Sequence, residues 1–447
     1  MVFLVALSVR AYLVLQHRCI NPDGIQYIEM AAFLRASAWR EALAYFYPPG
    51  YPLLISLLYP PLADWELAGQ IVSLIFGSLL VFPLFFLIKS MYSGKTALLA
   101  IVLLSFAPYP ARLSAEVRSE APYIFFATLA LLFLHLGLKR WSFWRAGLCG
   151  ISASAAYLTR PEGGGLVVIA GAALLLSGIF RRREWPVKKV VLSGVAVIIG
   201  FSLLSLPYIL YLKHDTGRWM VSRKASNVFS IGLYKYDEQV GHVSQDQSSS
   251  TDVLELVADN PLLLSKKFFL ELLTSVPVFA EALHLTFVPF LLIGLTRRFR
   301  RRSPADGDGV LFLFFAFYLA LFSLFFANRR FFVQLTPVAL AWTALGVESA
   351  AAYVAKSLKG ARIPKSMAAN PLAPLIVLVA LVTLPKTLTP INAPHSHFKE
   401  AGLWIRANSA ESAILMTNEK RVAFYAQRKW IEAPAMNEPE PVKYSAV

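Results

Sequence analysis

The sequence predicts an all-α, polytopic membrane protein, and three observations carry that prediction. Hydrophobic residues make up 57% of the 447 and charged residues only 16%, whereas a soluble domain is roughly half apolar and a quarter charged. The apolar residues fall in runs that approach the about 20 helical residues needed to cross a bilayer. The formal charge of +16 lies in short clusters between those runs: Lys89 to Lys95, Lys139-Arg140 with Arg145, Arg181-Arg182-Arg183 with Lys188-Lys189, and Arg297 to Arg302. That is the pattern left by the positive-inside rule. A nucleic-acid partner would want the charge gathered on one surface, so none is expected.

On hydropathy there are about eleven spanning segments: 1–18, 66–88, 96–111, 120–138, 146–159, 163–180, 190–212, 277–296, 310–327, 331–354 and 372–389. The first has no basic n-region or small-residue cleavage site and reads as a span rather than a signal peptide, with the start of the sequence falling somewhat late. If that helix runs outward, every basic cluster falls inside, as does the Lys356, Lys359, Arg362, Lys365 loop. Residues 19–65, the turns near 111–119 and 160–162, the loop 213–276 and everything after 390 then lie outside, with Asn328-Arg329-Arg330 at the outer edge.

The first outer loop carries an interfacial helix over 25–46, with Ile25, Ile28, Ala32, Trp39, Leu43 and Phe46 on one side. Pro48 and Pro49 end it, and Leu53 to Tyr59 is too short to span and dips into the interface. A second interfacial helix begins near Pro261, where Lys266 and Lys267 stand beside Phe268 and Phe269. In the tail, Phe398–Ala407 and Glu419–Ala426 read as helices, Ala413–Met416 and Lys429–Glu432 as strands. The expected division is a membrane domain over 1–390 and a small α/β extracytoplasmic appendage over 391–447. Cys19 and Cys149 suggest neither a disulfide framework nor a thiolate metal site.

Charge beside a bilayer is costly, which marks a few residues for function. Asp23 follows Asn21 and Pro22, a good helix start with Asn21 as N-cap. There the carboxylate either complements the helix dipole or serves as a base. Glu116 and Glu120 are four apart and share a helix face, with Arg112 and Arg118 in pairing range. Arg160 and Glu162 form a turn on the same side. Arg329-Arg330 is a double arginine where the positive-inside rule disfavours one, and guanidinium suits phosphate oxygens; snorkelling to lipid head groups is the other reading. Arg10 lies within the first span and needs a partner. His395 and His397 read as non-metal. Asp23 and Glu120 sharing a divalent ion is open, but no full ligand set is visible. No glycine-rich nucleotide loop appears.

These pieces together resemble the GT-C glycosyltransferases, in particular bacterial relatives of protein O-mannosyltransferases and of lipid A aminoarabinose transferase. The resemblance rests on Arg10, Asp23 and Tyr27 in PDGIQYIEMAAFL, then YPPGYPLL, SAEVRSEAPYIFFATLAL, YLTRPEG, NRRFFVQLTPVAL and the tail from Ala401. It implies inverting transfer of a sugar from a polyprenyl-phosphate carrier to a glycolipid, polysaccharide or protein, in a bacterial inner membrane with the site facing the periplasm. It implies Asp23 as the acceptor-activating acid and Glu120 as the second acidic residue. Arg329, Arg330 and Arg118 are then expected at the donor phosphate, with Tyr27, Tyr47, Glu116, Arg160 and Glu162 in support. Tyr47 departs from the pattern, since aminoarabinose-transferase-like members carry lysine there. A transporter or flippase of lipid-linked glycans is the competing class; it calls for broken helices and polar groups near the bilayer midplane.

Overall fold

The computed structural model describes residues 1–223, 261–300, 307–357 and 371–433. The polar middle of the expected loop 213–276 and the Lys359 to Lys365 stretch lie outside them. The described chain is a helical, multi-pass membrane protein. It begins with α1 (Val2–Leu15), then α2 (Pro22–Arg35), α3 (Trp39–Leu43) and α4 (Gly50–Leu62). The single helix expected over 25–46 is therefore two. Ser37 takes a left-handed φ of 59° and breaks it, leaving Trp39 exposed instead of on a common apolar face.

Next come α5 (Trp65–Leu79) and α6 (Val81–Met91), which continue as one span, then α7 (Gly94–Phe106) and α8 (Pro108–Leu113). After them stand α9 (Glu120–Lys139), α10 (Phe143–Thr159), α11 (Gly165–Phe180) and α12 (Val187–Thr216). Past the undescribed stretch are α13 (Pro261–Leu283), α14 (Val288–Arg300), α15 (Gly309–Phe325), the short α16 (Arg329–Phe332), α17 (Thr336–Ser357) and α18 (Leu372–Leu388).

Among the described residues five helices are long and apolar enough to cross a membrane: Trp65–Met91, Glu120–Lys139, Pro161–Phe180, Val187–Thr216 and Arg329–Ser357. A sixth forms if Pro261–Leu283 and Leu285–Arg300 count as one span, though they bend by 96°. The bend sits at His284, whose φ is 84°. An interfacial helix from Pro261 and a separate span from 277 are thus replaced by one long helix that turns sharply at its end. Val2–Leu15, Gly94–Phe106, Gly309–Phe325 and Leu372–Leu388 are apolar but shorter.

Helices pack closely where glycines face backbone. A Cβ on Gly346 would come 1.7 Å from the Phe290 carbonyl oxygen, and one on Gly294 would come 1.8 Å from that of Trp342. This small-residue contact locks α14 against α17, and α17 is the helix that follows Arg330. The tail forms α19 (Ser396–Asn408), β1 (Ile414–Met416), α20 (Lys420–Ala426) and β2 (Lys429–Ile431). The strands pair in parallel, Ile414 opposite Lys429 and Met416 opposite Ile431. The tail is tied to the first outer loop, because the Ile20 N–H donates to the Tyr425 hydroxyl at 2.7 Å and Tyr425 in turn donates to Glu66 at 3.0 Å.

Candidate active site

Residues hundreds of positions apart meet at one end of the bundle. Asn21 caps α2 by accepting from Gly24 N–H at 2.9 Å, as the Asn-Pro-Asp pattern predicts. Gly24 lets that helix start lie against the chain at Val117: a Cβ there would sit 3.0 Å from Ile20 Cγ1 and 3.1 Å from Val117 Cβ. Asn21 Nδ2 reaches the Val117 carbonyl at 3.3 Å. The first turn of α2, with Asp23, is therefore pinned to the turn that leads into α9, with Glu120.

Arg330 joins the two acids. Its Nη1 lies 2.6 Å from Asp23 Oδ2, and its Nε and Nη2 lie 2.9 and 2.8 Å from Glu120 Oε1. Arg160 comes from the other side, with Nη1 2.9 Å from Glu120 and Nη2 2.9 Å from Glu162. Arg118 contacts Glu116 at 2.9 Å and Asp23 at 3.6 Å. Tyr47 donates to Asp23 Oδ1 at 3.0 Å, and Tyr27 shares a hydrogen bond with Ser119 at 2.9 Å. The Tyr27 and Tyr47 rings lie 4.5 Å apart. Glu120 is buried, and its second oxygen, Oε2, has no hydrogen-bond partner among the described residues. A buried carboxylate oxygen left so is costly, and a hydroxyl or water is the group that would satisfy it.

Burial works against ionising Asp23, but the Arg330 and Arg118 guanidiniums outweigh it and hold its carboxyl below the ordinary range. Burial, then the neighbouring Tyr27 and Asp23, push the Tyr47 phenol well above its usual value. Tyr47 therefore stays a hydrogen-bond donor to the carboxylate. A lysine there would add a charge; the phenol adds only a directed O–H.

Nine of the ten residues singled out from the sequence belong to this network. Arg329 does not: its side chain is 57% exposed and lies 3.7 Å from Glu281. Adjacent arginines at a helix start point in different directions, so only one faces the acids. Arg112, a possible partner for the glutamates, instead donates to the Thr389 hydroxyl at 2.7 Å. Sequence reasoning missed Tyr318, which donates to the Glu162 carbonyl at 2.7 Å, and Asn392, 3.5 Å from Glu116. Neither carries a charge or a motif that marks it. The place between the Asp23 and Glu120 carboxylates is taken by the Arg330 guanidinium, which balances both charges. Among the described residues there is no group of three His, Cys, Asp or Glu able to hold a metal ion.

An apolar cavity of about 730 Å³ lies next to this network, lined by Tyr157, Val168, Phe201, Phe317, Phe322 and Phe331, with Glu162 at its polar edge. A second, larger cavity lies at the far ends of α9, α11 and α15, among Lys139, Arg181, Arg298 and Asp308. The basic clusters thus gather at the end of the bundle opposite the acids.

Known proteins resolve the fold. Residues 47–208 match the family model described as dolichyl-phosphate-mannose-protein mannosyltransferase, a stretch that contains Glu116, Arg118, Glu120, Arg160 and Glu162. No curated protein matches the chain in sequence. In structure the chain is similar to the Archaeoglobus fulgidus oligosaccharyltransferase AglB, in complex with an inhibitory peptide and a dolichol-phosphate. That likeness has a TM-score of 0.64 at 14% identity, over 97% of this chain and 64% of that one. It is also similar to ArnT from Cupriavidus metallidurans bound to undecaprenyl phosphate, with a TM-score of 0.62 at 13% identity, over 96% of this chain and 85% of that one. The chain shares the fold of these two proteins. The chain spans 64% of the oligosaccharyltransferase's length, less than two thirds of it.

Proposed function

We propose that this chain is a GT-C inverting glycosyltransferase that moves a sugar from a polyprenyl-phosphate carrier to an acceptor hydroxyl on the extracytoplasmic face of a bacterial inner membrane. The observation that carries the reading is Arg330, one guanidinium shared by Asp23 and Glu120 beside an apolar cavity. Carriers held by relatives support it: a dolichol-phosphate in AglB and undecaprenyl phosphate in ArnT. Sidedness and a count of about eleven crossings rest on the positive-inside pattern and the hydropathy runs.

In this reading the carrier's isoprenoid tail lies in the apolar cavity and its phosphate approaches Arg330, with Arg118 and Arg160 close by and Arg329 at the exposed rim. Asp23 accepts a hydrogen bond from the acceptor hydroxyl. The acceptor oxygen attacks the anomeric carbon from the face opposite the phosphate, and the new C–O bond forms as the C–O bond to phosphate breaks. The electron pair leaves with the polyprenyl phosphate. The hydroxyl proton passes to Asp23 and then to solvent or the departing phosphate. The arginines stabilise charge that grows on the leaving phosphate. A carboxylate held below the ordinary pKa range is a weak base, so Asp23 orients and polarises the hydroxyl as much as it removes the proton.

The direct test is to supply purified protein with a polyprenyl-phospho-sugar and an envelope extract, and to measure free polyprenyl phosphate. Release that depends on acceptor supports transfer; movement of intact donor across a vesicle membrane without release supports a flippase instead. Mass spectrometry of envelope glycans from a deletion strain then identifies the sugar and whether the acceptor is a glycolipid, a polysaccharide or a protein.

Two further outcomes follow from the geometry. Val168→Trp narrows the apolar cavity at a position 58% exposed, so the KM for a long-chain donor should rise by about 10-fold. A donor with a truncated tail should be unaffected, and the two KM values are the measurement. For pH, a depressed carboxyl pKa means that activity is present above the folded value and is lost as pH falls through it. The acid limb of kcat/KM should therefore lie below the ordinary carboxylate value of 3.8. In Arg118→Met it should move upward, since one of the two cations that depress Asp23 is gone. A limb that stays in place would show that Asp23 is not the titrating group.

A further inference from the structure

Two buried charges on α13 take no part in the chemistry above. Lys267 and Glu271 are fully buried, one helical turn apart on the same face. Both point at the joint between α15 and Arg330. Lys267 Nζ donates to the Leu324 carbonyl, in the last turn of α15, where helix carbonyls lack intrahelical donors and a cation complements the dipole. Three residues on, Glu271 Oε2 accepts the Ala327 N–H at 2.7 Å. The next residue, Asn328, accepts the Arg330 N–H at 3.0 Å. The clamp thus sets the backbone from Leu324 to Asn328, and Arg330 leaves that backbone to reach Asp23 and Glu120. Phe325 and Phe331, on either side of the joint, line the apolar cavity.

Stability alone does not account for two buried charges here. Taking a charge out of water is expensive, and both are spent on backbone groups of the joint. Removing either side chain leaves a buried backbone group without that partner, which is the damaging change. We infer that Lys267 and Glu271 are positioning residues, which hold the Leu324–Asn328 turn so that one guanidinium spans both acids and the carrier phosphate arrives beside it. The inference rests on the proposed transfer reaction for its kinetic part and on geometry for the rest.

The experiment uses the full-length protein in detergent with five variants: Glu271→Gln, Glu271→Leu, Arg330→Met, the pair Lys267→Met with Glu271→Leu, and the pair Glu271→Leu with Arg330→Met. Hydrogen exchange of the peptide covering 324–330 should be unchanged in Glu271→Gln, which keeps an acceptor oxygen, and faster in Glu271→Leu. With a polyprenyl-phospho-sugar, kcat should fall by about 10²-fold in Glu271→Leu and in its pair with Lys267→Met, the size of effect that a displacement near 1 Å produces. KM should change little, and Glu271→Gln should restore most of kcat. An activity-independent arm compares thermal unfolding of Glu271→Leu, Arg330→Met and their combination. Non-additive shifts are expected, because a loosened turn leaves Arg330 less to lose. Additive shifts with unchanged exchange overturn the inference, as does wild-type kcat in Glu271→Leu. If wild-type protein releases no polyprenyl phosphate, the transfer reading fails, while the exchange and unfolding arms still decide the clamp.

Discussion

Asp23→Asn is expected to reduce sugar transfer by about 10²–10⁴-fold, the range for loss of a general base, while the protein remains folded and inserted. The substitution is close to isosteric. Oδ1 is retained to accept from Tyr47 and the amide occupies the Oδ2 position, so the Tyr47 contact at 3.0 Å survives. What is lost is the negative charge that faces Arg330 at 2.6 Å and Arg118 at 3.6 Å. An amide neither takes the acceptor proton nor offsets two guanidiniums, and its NH₂ group is a donor turned toward donors. Free polyprenyl phosphate counted per turnover, with unfolding temperature as a control for folding, is the measurement. Wild-type turnover by this variant would remove Asp23 from the mechanism.

Arg330→Lys should cost as much activity, about 10²-fold or more by analogy with loss of a preorganised charge-stabilising donor. The total charge is unchanged, so the result isolates geometry. A guanidinium presents several N–H groups in a fixed fork and here uses three nitrogens on two carboxylates; an ammonium is a point donor on a shorter reach. Arg330→Met goes further. It leaves Glu120, whose side chain is 1% exposed, with Arg160 as its remaining close cation among those named, and it brings Asp23 and Glu120 together without a bridge. Breaking a buried pair from one side costs about 3–5 kcal/mol. The methionine variant should therefore lose unfolding temperature as well as activity, whereas the lysine variant should lose mainly activity. Equal turnover in wild type and Arg330→Lys would show that the fork geometry is not used.

Much of the site could be read along the chain, because its signals are local. Asparagine and proline before Asp23 announce a helix start, and the structure contains that cap. The alternation of apolar runs with basic clusters put 19–65, 111–119, 160–162 and 328–330 on one side, and these segments meet in space. Glu116, Arg118, Glu120, Arg160 and Glu162 are visible as polar groups where a bilayer discourages them, whereas Tyr47 stands out only through the family resemblance.

What local signals do not carry is direction. Arg329 and Arg330 are neighbours with the same chemistry, yet one faces Glu281 at the rim and the other faces two buried acids. Ser37 and His284 give no composition cue for their left-handed backbones, so one expected helix proved to be two, and another runs on to a 96° bend. Lys267 appeared in the sequence as a charge at the interface; packing against α15 made it a buried clamp.

The sequence by itself determined that this chain crosses a membrane many times and which polar residues collect at each end of it. Hydrophobic runs and charge asymmetry act over a few residues and need no partner. Only the tertiary structure decided that a single arginine joins Asp23 to Glu120, some three hundred residues from the first and two hundred from the second. Such a contact depends on the packing of helices far apart in the chain, and no local spacing encodes it.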